Sequence, residues 1–169
     1  MKKFDKKTQI KIFNIILIVI WMISVFCFSN QQGTESGDTS RKFTVAIIQI
    51  LIGKSLELDD PFIEGIQLVI RKLAHFTVYA IGGFLMMNYA YEINLSQKQK
   101  LLYSISFGGV YAILDELHQF YVPGRSGNIV DVGIDTLGVI TGTVGYVIIR
   151  KIVKKLILGG SKSGYKCSK

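Results

Sequence analysis

Residues 114–135 read LDELHQFYVPGRSGNIVDVGID, and this stretch decides how the rest of the chain is interpreted. It contains four carboxylates, one histidine and one arginine, and it joins two segments that are otherwise apolar. Its centre, YVPGRSGN, is rich in residues that favour turns. The stretch therefore predicts two apolar helices joined by a short loop, with charged side chains on both sides of that loop.

Composition places the chain among membrane proteins. Its 169 residues are 49% hydrophobic, its mean hydropathy is +0.37 and its formal net charge is +8. The 20 Lys and Arg residues lie at the two ends and beside apolar segments, which favours contact with an anionic membrane surface over nucleic-acid binding. The two cysteines, Cys27 and Cys167, have no spacing suited to a metal site, and a disulfide between them is not expected.

Four apolar segments are long enough to cross a bilayer as helices, which takes about 20 residues. They predict spans at about residues 10–28, 73–91, 101–121 and 129–149. The first follows a basic stretch, as a cleavable signal peptide would, but its exit VFCFSNQQ has no small-x-small cleavage site, so a retained helix is predicted. The predicted fold class is all-α: a polytopic membrane helical bundle with four transmembrane helices and one or two interfacial amphipathic helices.

The connection between the first two spans, residues 29–72, is predicted to be extracytoplasmic. Its opening SNQQGTESGDTS predicts a loop. The later segments FTVAIIQILIGKSLEL and PFIEGIQLVIRKL are typical of amphipathic helices at the membrane interface. Residues 1–150 are predicted to form a single membrane domain, and residues 151–169 a basic cytoplasmic tail.

The distribution of basic residues predicts the orientation. If the N-terminus is cytoplasmic, 14 of the 20 Lys and Arg residues fall in cytoplasmic segments. The positive-inside rule then places both termini in the cytoplasm of a multi-pass protein.

Polar residues recur at helical spacing on three of the four predicted spans. Residues three or four positions apart share one face of a helix. The aligned residues are Arg71, His75 and Tyr79 on the second span, Asp115, His118 and Gln119 on the third, and Asp131 and Asp135 on the fourth. Under the predicted orientation they converge on one outward-facing pocket. A central Asp, Lys or Arg costs about 2.5–3.5 kcal/mol each in a membrane, so such residues usually mark a functional site; an ion network that only holds the helices together is the alternative.

Three motifs in this chain resemble the VanZ-like family of small bacterial membrane proteins, named for a protein associated with teicoplanin resistance. They are FSNQQG after the first span, RKLAHFTVYAIGG in the second, and DELHQFYVPGRSGNIVDVGIDTLGVITG across the third and fourth. The resemblance covers about residues 14–149 and implies a location in the bacterial cell membrane. It implies a polar site formed by Arg71, Lys72, His75, Tyr79, Asp115, Glu116, Gln119, Arg125 and Asp131. Asp135 stands where the family more often has Asn, which adds one titratable group to that site.

An intramembrane enzyme is the first function that these residues suggest. It would act by acid-base chemistry on an envelope lipid or a lipid-linked cell-wall precursor, with a link to glycopeptide (teicoplanin) resistance implied by the resemblance. The predicted catalytic residues are His75, Asp115, Glu116 and Asp131, and the predicted substrate-binding residues are Arg71, Lys72, Tyr79, Gln119, Arg125 and Asp135.

Two alternatives stay open at this point. One is a metal-dependent variant with His75, Asp115, His118 and Asp131 as ligands, although no fixed metal-ligand motif such as H-E-x-x-H is present and no metal is assigned. The other is a non-catalytic membrane binder of a lipid headgroup or glycopeptide antibiotic, which would limit access of the drug. The sequence leaves the cofactor, the reaction and the oligomeric state undetermined.

Overall fold

The computed structural model describes residues 5–31, 33–53, 61–125 and 127–163, and these form five helices and no strand. The helices are α1 (Lys6–Ser29), α2 (Gly33–Ile52), α3 (Pro61–Glu92), α4 (Gln97–Phe120) and α5 (Ile129–Ser163). The all-α prediction is therefore confirmed for the described part of the chain.

Three of the helices are long and apolar enough to cross a membrane, whereas four were predicted. They are Lys6–Ser29, Gly65–Glu92 and Ile129–Ile157. The 24 residues of α4 would extend about 36 Å at 1.5 Å per residue, so its length is sufficient. Its mean hydropathy is too low for a membrane span, because Asp115, Glu116 and His118 lie in its last turns.

The segment between the first two spans also differs from its prediction. The stretch SNQQGTESGDTS was predicted as a loop, but α2 already begins at Gly33. The segment beginning at Pro61 was predicted as a separate interfacial helix, but it is the first part of α3. One separate helix, α2, therefore precedes α3, and it ends beside Gly53, whose φ of 72° suits the left-handed conformation that terminates helices.

Helix starts follow the usual capping rules where the chain supplies the residues. The side chain of Asp5 accepts a hydrogen bond from the Thr8 amide at the start of α1. At the start of α4, Ser96 and Gln99 form a capping box in which each side chain bonds the other residue's backbone amide. These caps fix where α1 and α4 begin.

Contacts along the helices show their relative directions. Asn14 of α1 bonds Asn88 of α3 at 3.0 Å, whereas Trp21, further along α1, bonds the Val78 carbonyl at 2.8 Å, so α1 and α3 are antiparallel. The Ser104 hydroxyl of α4 lies 2.7 Å from that of Thr143. Since Gly108 of α4 faces Val139 of α5, earlier along that helix, α4 and α5 are also antiparallel.

The α3–α5 pair is the most extensive helix contact and runs parallel. Gly138 of α5 faces the backbone of Phe76, and Gly142, one turn later, faces the backbone of Ala80. Gly83 of α3 faces the backbone of Val139 in return. Small residues at these positions let the two helix backbones approach closely, as in other membrane helix pairs.

A buried aromatic residue, Trp21, anchors α1 to the rest of the bundle. Its ring lies edge-on to Tyr79 at 5.7 Å and is tilted against Tyr111 at 5.1 Å. It also packs over Gly82, where a side chain would collide with it. This packing is consistent with a structural role for Trp21 and brings the C-terminal end of α1 against α3 and α4.

Candidate functional site at one end of the bundle

The polar residues of the bundle converge at the end where α1 and α4 finish and α5 begins. The directions of the helices explain the convergence, because the first half of α3 and the start of α5 lie beside the last turns of α1 and α4. Two cavities open there, each of about 330 Å³, which is within the range of small-ligand pockets.

The first cavity, here called the apolar cavity, lies between α1, α2 and α3. Its walls are mostly aliphatic and aromatic side chains, from Val25, Phe28, Phe43, Ile47, Ile70, Ala74 and Val78. Its charged and titratable lining residues are Arg71, His75, Tyr79, Asp115 and Arg125. The cavity therefore combines apolar walls with a small set of charged groups.

The second cavity, here called the polar cavity, lies between α3, α4 and α5. Its charged and amide-bearing lining residues are Arg71, Lys72, His75, Glu116, Gln119, Arg125, Asn128, Asp131 and Asp135. Arg71, His75 and Arg125 line both cavities. The two cavities thus meet at these three cationic or titratable side chains.

A three-helix cluster, defined here as His75, Asp115 and Asp135, lies at this boundary. The three residues come from α3, α4 and α5, and one ligand atom from each lies within 4.8 Å of the others. Nδ1 of His75 is 3.7 Å from Oδ1 of Asp135. Both carboxylate oxygens of Asp135 are buried without a hydrogen-bond partner among the described residues.

A hydrogen-bond chain links Asp115 to the end of α1. Nε2 of Gln119 donates to Oδ2 of Asp115 at 3.1 Å and to Oγ of Ser29 at 2.7 Å. Nη1 of Arg125 donates to the Ser29 carbonyl at 3.1 Å. Ser29 was not predicted as a site residue, and its position in the motif FSNQQG was the sequence feature that could have identified it.

The loop between α4 and α5 holds Glu116 in place. The backbone amide of Asn128 donates to Oε2 of Glu116 at 2.9 Å. Gly127 lies so close to the Glu116 carbonyl that a side chain there would meet it at 2.6 Å. Gly124 adopts a φ of 74°, which favours glycine, so the Pro-Gly-Arg turn can fold back and bring Arg125 over the site.

Lys72 and Asp131 form a separate ion pair at the rim of the polar cavity. Nζ of Lys72 lies 3.4 Å from Oδ1 of Asp131, and the two side chains are 44% and 32% exposed. Partly exposed pairs contribute about 0–1 kcal/mol, so this one orients the rim more than it stabilises the fold.

Two arginines, Arg71 and Arg125, line both cavities of the site. Burial, and then the positive charge of Arg71, lower the pKa of the Arg125 guanidinium. Arg125 also bonds the end of α1, whereas Arg71 has no hydrogen bond or ion pair within the part of the chain that the structure describes. Arg71 is therefore the cation whose donors are available to a ligand.

All ten residues predicted from the sequence as site residues line one of the two cavities. They are Arg71, Lys72, His75, Tyr79, Asp115, Glu116, Gln119, Arg125, Asp131 and Asp135. Of the four ligands in the metal alternative, the structure brings His75 and Asp115 together. The ring of His118 stacks on Phe26 at 4.8 Å, and Asp131 pairs with Lys72, so neither belongs to the three-helix cluster. The apolar wall supplied by Phe43 and Ile47 of α2 was missed, because the sequence predicted their segment as an interfacial helix apart from a pocket made by the second, third and fourth spans.

Comparison with known proteins identifies a family. A family model described as VanZ/LLP1 matches residues 13–150. No curated protein and no solved structure matches the chain. The match covers most of the chain and includes every residue of the two cavities. The chain belongs to the VanZ/LLP1 family and, with three helices able to span a membrane, is a membrane protein.

Proposed function

We propose that this protein binds an anionic lipid, or a lipid-linked cell-wall precursor, in the bacterial cell membrane and acts on it by acid-base chemistry. The observation that carries the proposal is the junction of the two cavities at Arg71, His75 and Arg125. An amphiphile with an apolar chain and a phosphate headgroup fits both parts. The chain would lie in the apolar cavity, and the arginines would bind the phosphate where the two cavities meet.

Arginine is suited to this role for a geometric reason. Its planar guanidinium donates two parallel hydrogen bonds to phosphate, whereas lysine presents a single charged point. Arg71 donates no hydrogen bond to the described residues, and it repels Arg125; both features favour an anion near the two side chains. A bound phosphate would offset the repulsion that the two cations otherwise experience.

The membrane arrangement follows from the helix directions. The α3 and α5 helices run parallel and are both apolar enough to cross the bilayer. If both cross, the chain between them has to return across the same thickness, and α4, antiparallel to both, would be the segment that does so. The polar residues that lower the hydropathy of α4 face the bundle, where Asp115, Glu116 and Gln119 are buried. We therefore propose four crossings with both termini in the cytoplasm, an arrangement in which the site would lie in the outer half of the membrane.

Cysteine accessibility tests this orientation. With Cys27 and Cys167 replaced by Ser, we expect a membrane-impermeant maleimide to label Ser126→Cys in intact cells. Lys98→Cys should be labelled only after the cells are permeabilised. Ser126 lies outside the described residues, and Lys98 is exposed at the opposite end of α4. The reverse labelling pattern would place the site in the cytoplasmic leaflet and contradict the proposed outward-facing site.

The acid-base part of the proposal rests on Glu116 and the three-helix cluster. Transfer of a phosphoryl or acyl group to water requires a residue that accepts a proton and returns it to the leaving group. Glu116 lines the polar cavity, and its carboxylate is positioned by the Asn128 amide. The chemistry would therefore take place beside the bound headgroup, on the side away from the apolar cavity.

Binding of a lipid phosphate is tested by exchanging Arg71 for Lys. We expect purified protein in detergent to bind a polyprenyl monophosphate more tightly than the corresponding polyprenol. We expect Arg71→Lys to weaken binding of the phosphate about tenfold, which is about 1.4 kcal/mol, because the bidentate interaction is lost. Measurement of affinity by fluorescence with a labelled lipid would detect this change.

The matched control is Arg150→Lys. Arg150 donates to Tyr146 at the opposite end of the bundle, so the same exchange there should leave lipid affinity unchanged. Equal affinity of the wild-type protein for the phosphate and the alcohol would contradict the proposal. Unchanged phosphate binding by Arg71→Lys would contradict the role of Arg71.

A non-catalytic binder is the second candidate, and one observation favours it. The cations at the cavity junction could hold a lipid headgroup or a glycopeptide antibiotic without any proton transfer, because a guanidinium group binds an anion by charge and hydrogen bonds alone. Such a binder would limit access of the drug to its target. Exchange of Glu116 for Gln distinguishes it from the enzyme, because only the enzyme requires the titratable acid.

A further inference from the structure

We propose that the three-helix cluster of His75, Asp115 and Asp135 binds one divalent transition-metal ion, such as Zn²⁺ or Mn²⁺. The inference deepens the proposed function, since it assigns His75 to metal binding and leaves Glu116 as the acid-base group of the same site. It differs from the ligand set suggested by the sequence, because Asp135 replaces His118 and Asp131.

Ligand geometry is the first argument. One imidazole nitrogen and two carboxylate oxygens lie within 4.8 Å of one another. Ligands that bind one ion tetrahedrally at about 2.0–2.2 Å lie about 3.3–3.6 Å from one another. Closing the cluster around an ion therefore requires side-chain shifts of about an ångström. One histidine with two carboxylates is a donor set that suits divalent zinc or manganese.

Burial of Asp135 is the second and independent argument. Its side chain is 0% exposed, and neither carboxylate oxygen has a hydrogen-bond donor among the described residues. A buried charge without hydrogen bonds is strongly unfavourable, and the nearest basic atom, Nδ1 of His75, is 3.7 Å away. A bound cation would compensate the charge and occupy the oxygen lone pairs together. Protonation of Asp135 would remove the charge but leave the other oxygen without a donor.

The charge balance of the site points the same way. Among the described lining residues, four carboxylates face three permanent cations, Arg71, Lys72 and Arg125. Lys72 is already paired with Asp131. A divalent ion beside Asp115 and Asp135 would reverse the excess of negative charge and attract a phosphate headgroup to the cavity junction.

Access to the cluster is provided by the polar cavity, whose lining includes His75 and Asp135. Three protein ligands leave at least one coordination position for water or a substrate oxygen, as in catalytic zinc sites. The ligands come from three different helices, so the ion would also fix the relative positions of α3, α4 and α5 at this end of the bundle.

Metal content of the full-length protein tests the inference. The protein should be purified in detergent without a polyhistidine tag, stripped with a chelator and equilibrated separately with Zn²⁺ and Mn²⁺. After removal of free ions, mass spectrometry should find about one equivalent of at least one of the two metals, as expected for a single site with three protein ligands. Asp135→Asn should lower the affinity by at least about tenfold, since even outer-shell changes cost that much.

Asp131→Asn is the matched control, because it removes a carboxylate from the same cavity but not from the cluster. It should keep the metal. If Asp135→Asn does not fold, Asp115→Asn tests the loss of a cluster ligand in its place, and a saturation titration of the wild-type protein tests whether one ion binds. Absence of stoichiometric binding of both ions by the wild-type protein would overturn the inference. Metal affinity equal to that of the wild type in both Asp135→Asn and Asp115→Asn would also overturn it. If the protein binds neither metal but still binds the lipid phosphate, the metal inference fails and the proposed lipid site stands.

Discussion

Glu116→Gln is expected to abolish protection against teicoplanin in a susceptible strain in which the wild-type protein raises the inhibitory concentration. Glutamine keeps the shape of the side chain and its oxygen can still accept the hydrogen bond that the Asn128 amide donates at 2.9 Å. Only the titratable acid is lost. General acid-base catalysis contributes about 10²–10⁴-fold to rate, so an enzyme should lose nearly all of its activity.

The matched control is Glu92→Gln at the C-terminal end of α3, away from both cavities. Inhibitory concentrations should be measured with membrane levels of each protein checked by immunoblot, and the control should protect as the wild type does. Full protection by Glu116→Gln, combined with weaker protection by Arg71→Lys, would contradict catalysis and favour the non-catalytic binder. A wild-type protein that gives no protection would separate this chain from glycopeptide resistance.

The convergence of charged residues was predictable from the sequence because helical spacing and alternating direction act over short distances along the chain. Arg71, His75 and Tyr79 share a face by their spacing of four, and the turn after Gln119 returns the chain to Asp131 and Asp135. Such local rules are sufficient to place side chains at one end of a bundle. They are not sufficient to say which two of them touch.

The pairing of charges could not be predicted for that reason. Asp131 and Asp135 are one turn apart on α5, yet Asp131 reaches Lys72 at the rim and Asp135 faces His75 in the interior. The difference depends on the rotation of α5 against α3, which packing between the helices sets. His118 was misplaced for the same reason: its position in α4 directs it towards Phe26 of α1 and not towards the cluster.

The connection before α3 was mispredicted because composition was read without tertiary context. Glycine, serine and threonine residues in residues 29–40 are typical of loops. Packing against α3 nevertheless allows a helix there, because Gln67 of α3 donates to the Gly37 carbonyl at 2.9 Å. Further along α2, Thr44 and Ile48 are buried. This helix has a functional consequence. Phe43 and Ile47 line the apolar cavity; the sequence predicted their segment as an interfacial helix but did not place it against the site.

Close packing of α3 and α5 connects the fold to the site. His75 lies on α3 and Asp135 on α5, and their 3.7 Å separation depends on the distance between the two helix backbones. Gly138 and Gly142 set that distance, because each faces the backbone of α3 directly. In a membrane, where lipid is as apolar as the side chains, this kind of packing supplies much of the association between helices.

Gly142→Ala is therefore expected to destabilise the protein by about 1–3 kcal/mol, because overpacking of a tight contact costs this much. The added Cβ would overlap the carbonyl oxygen of Ala80, which belongs to the α3 backbone and cannot turn away as a flexible side chain could. Separation of α3 from α5 should also weaken metal binding at the three-helix cluster. Thermal unfolding in detergent would measure the first effect, and metal content the second.

Gly145→Ala supplies the opposite expectation on the same helix. A Cβ at Gly145 meets nothing within 4 Å, so the substitution adds no collision and gains the higher helix propensity of alanine, about 1 kcal/mol. Its melting temperature should equal or exceed that of the wild-type protein. If Gly142→Ala were as stable as Gly145→Ala, the α3–α5 approach would not be as close as Gly142 and Ala80 indicate. The position of His75 relative to Asp135 would then rest on other contacts, because that distance follows from the same helix pair.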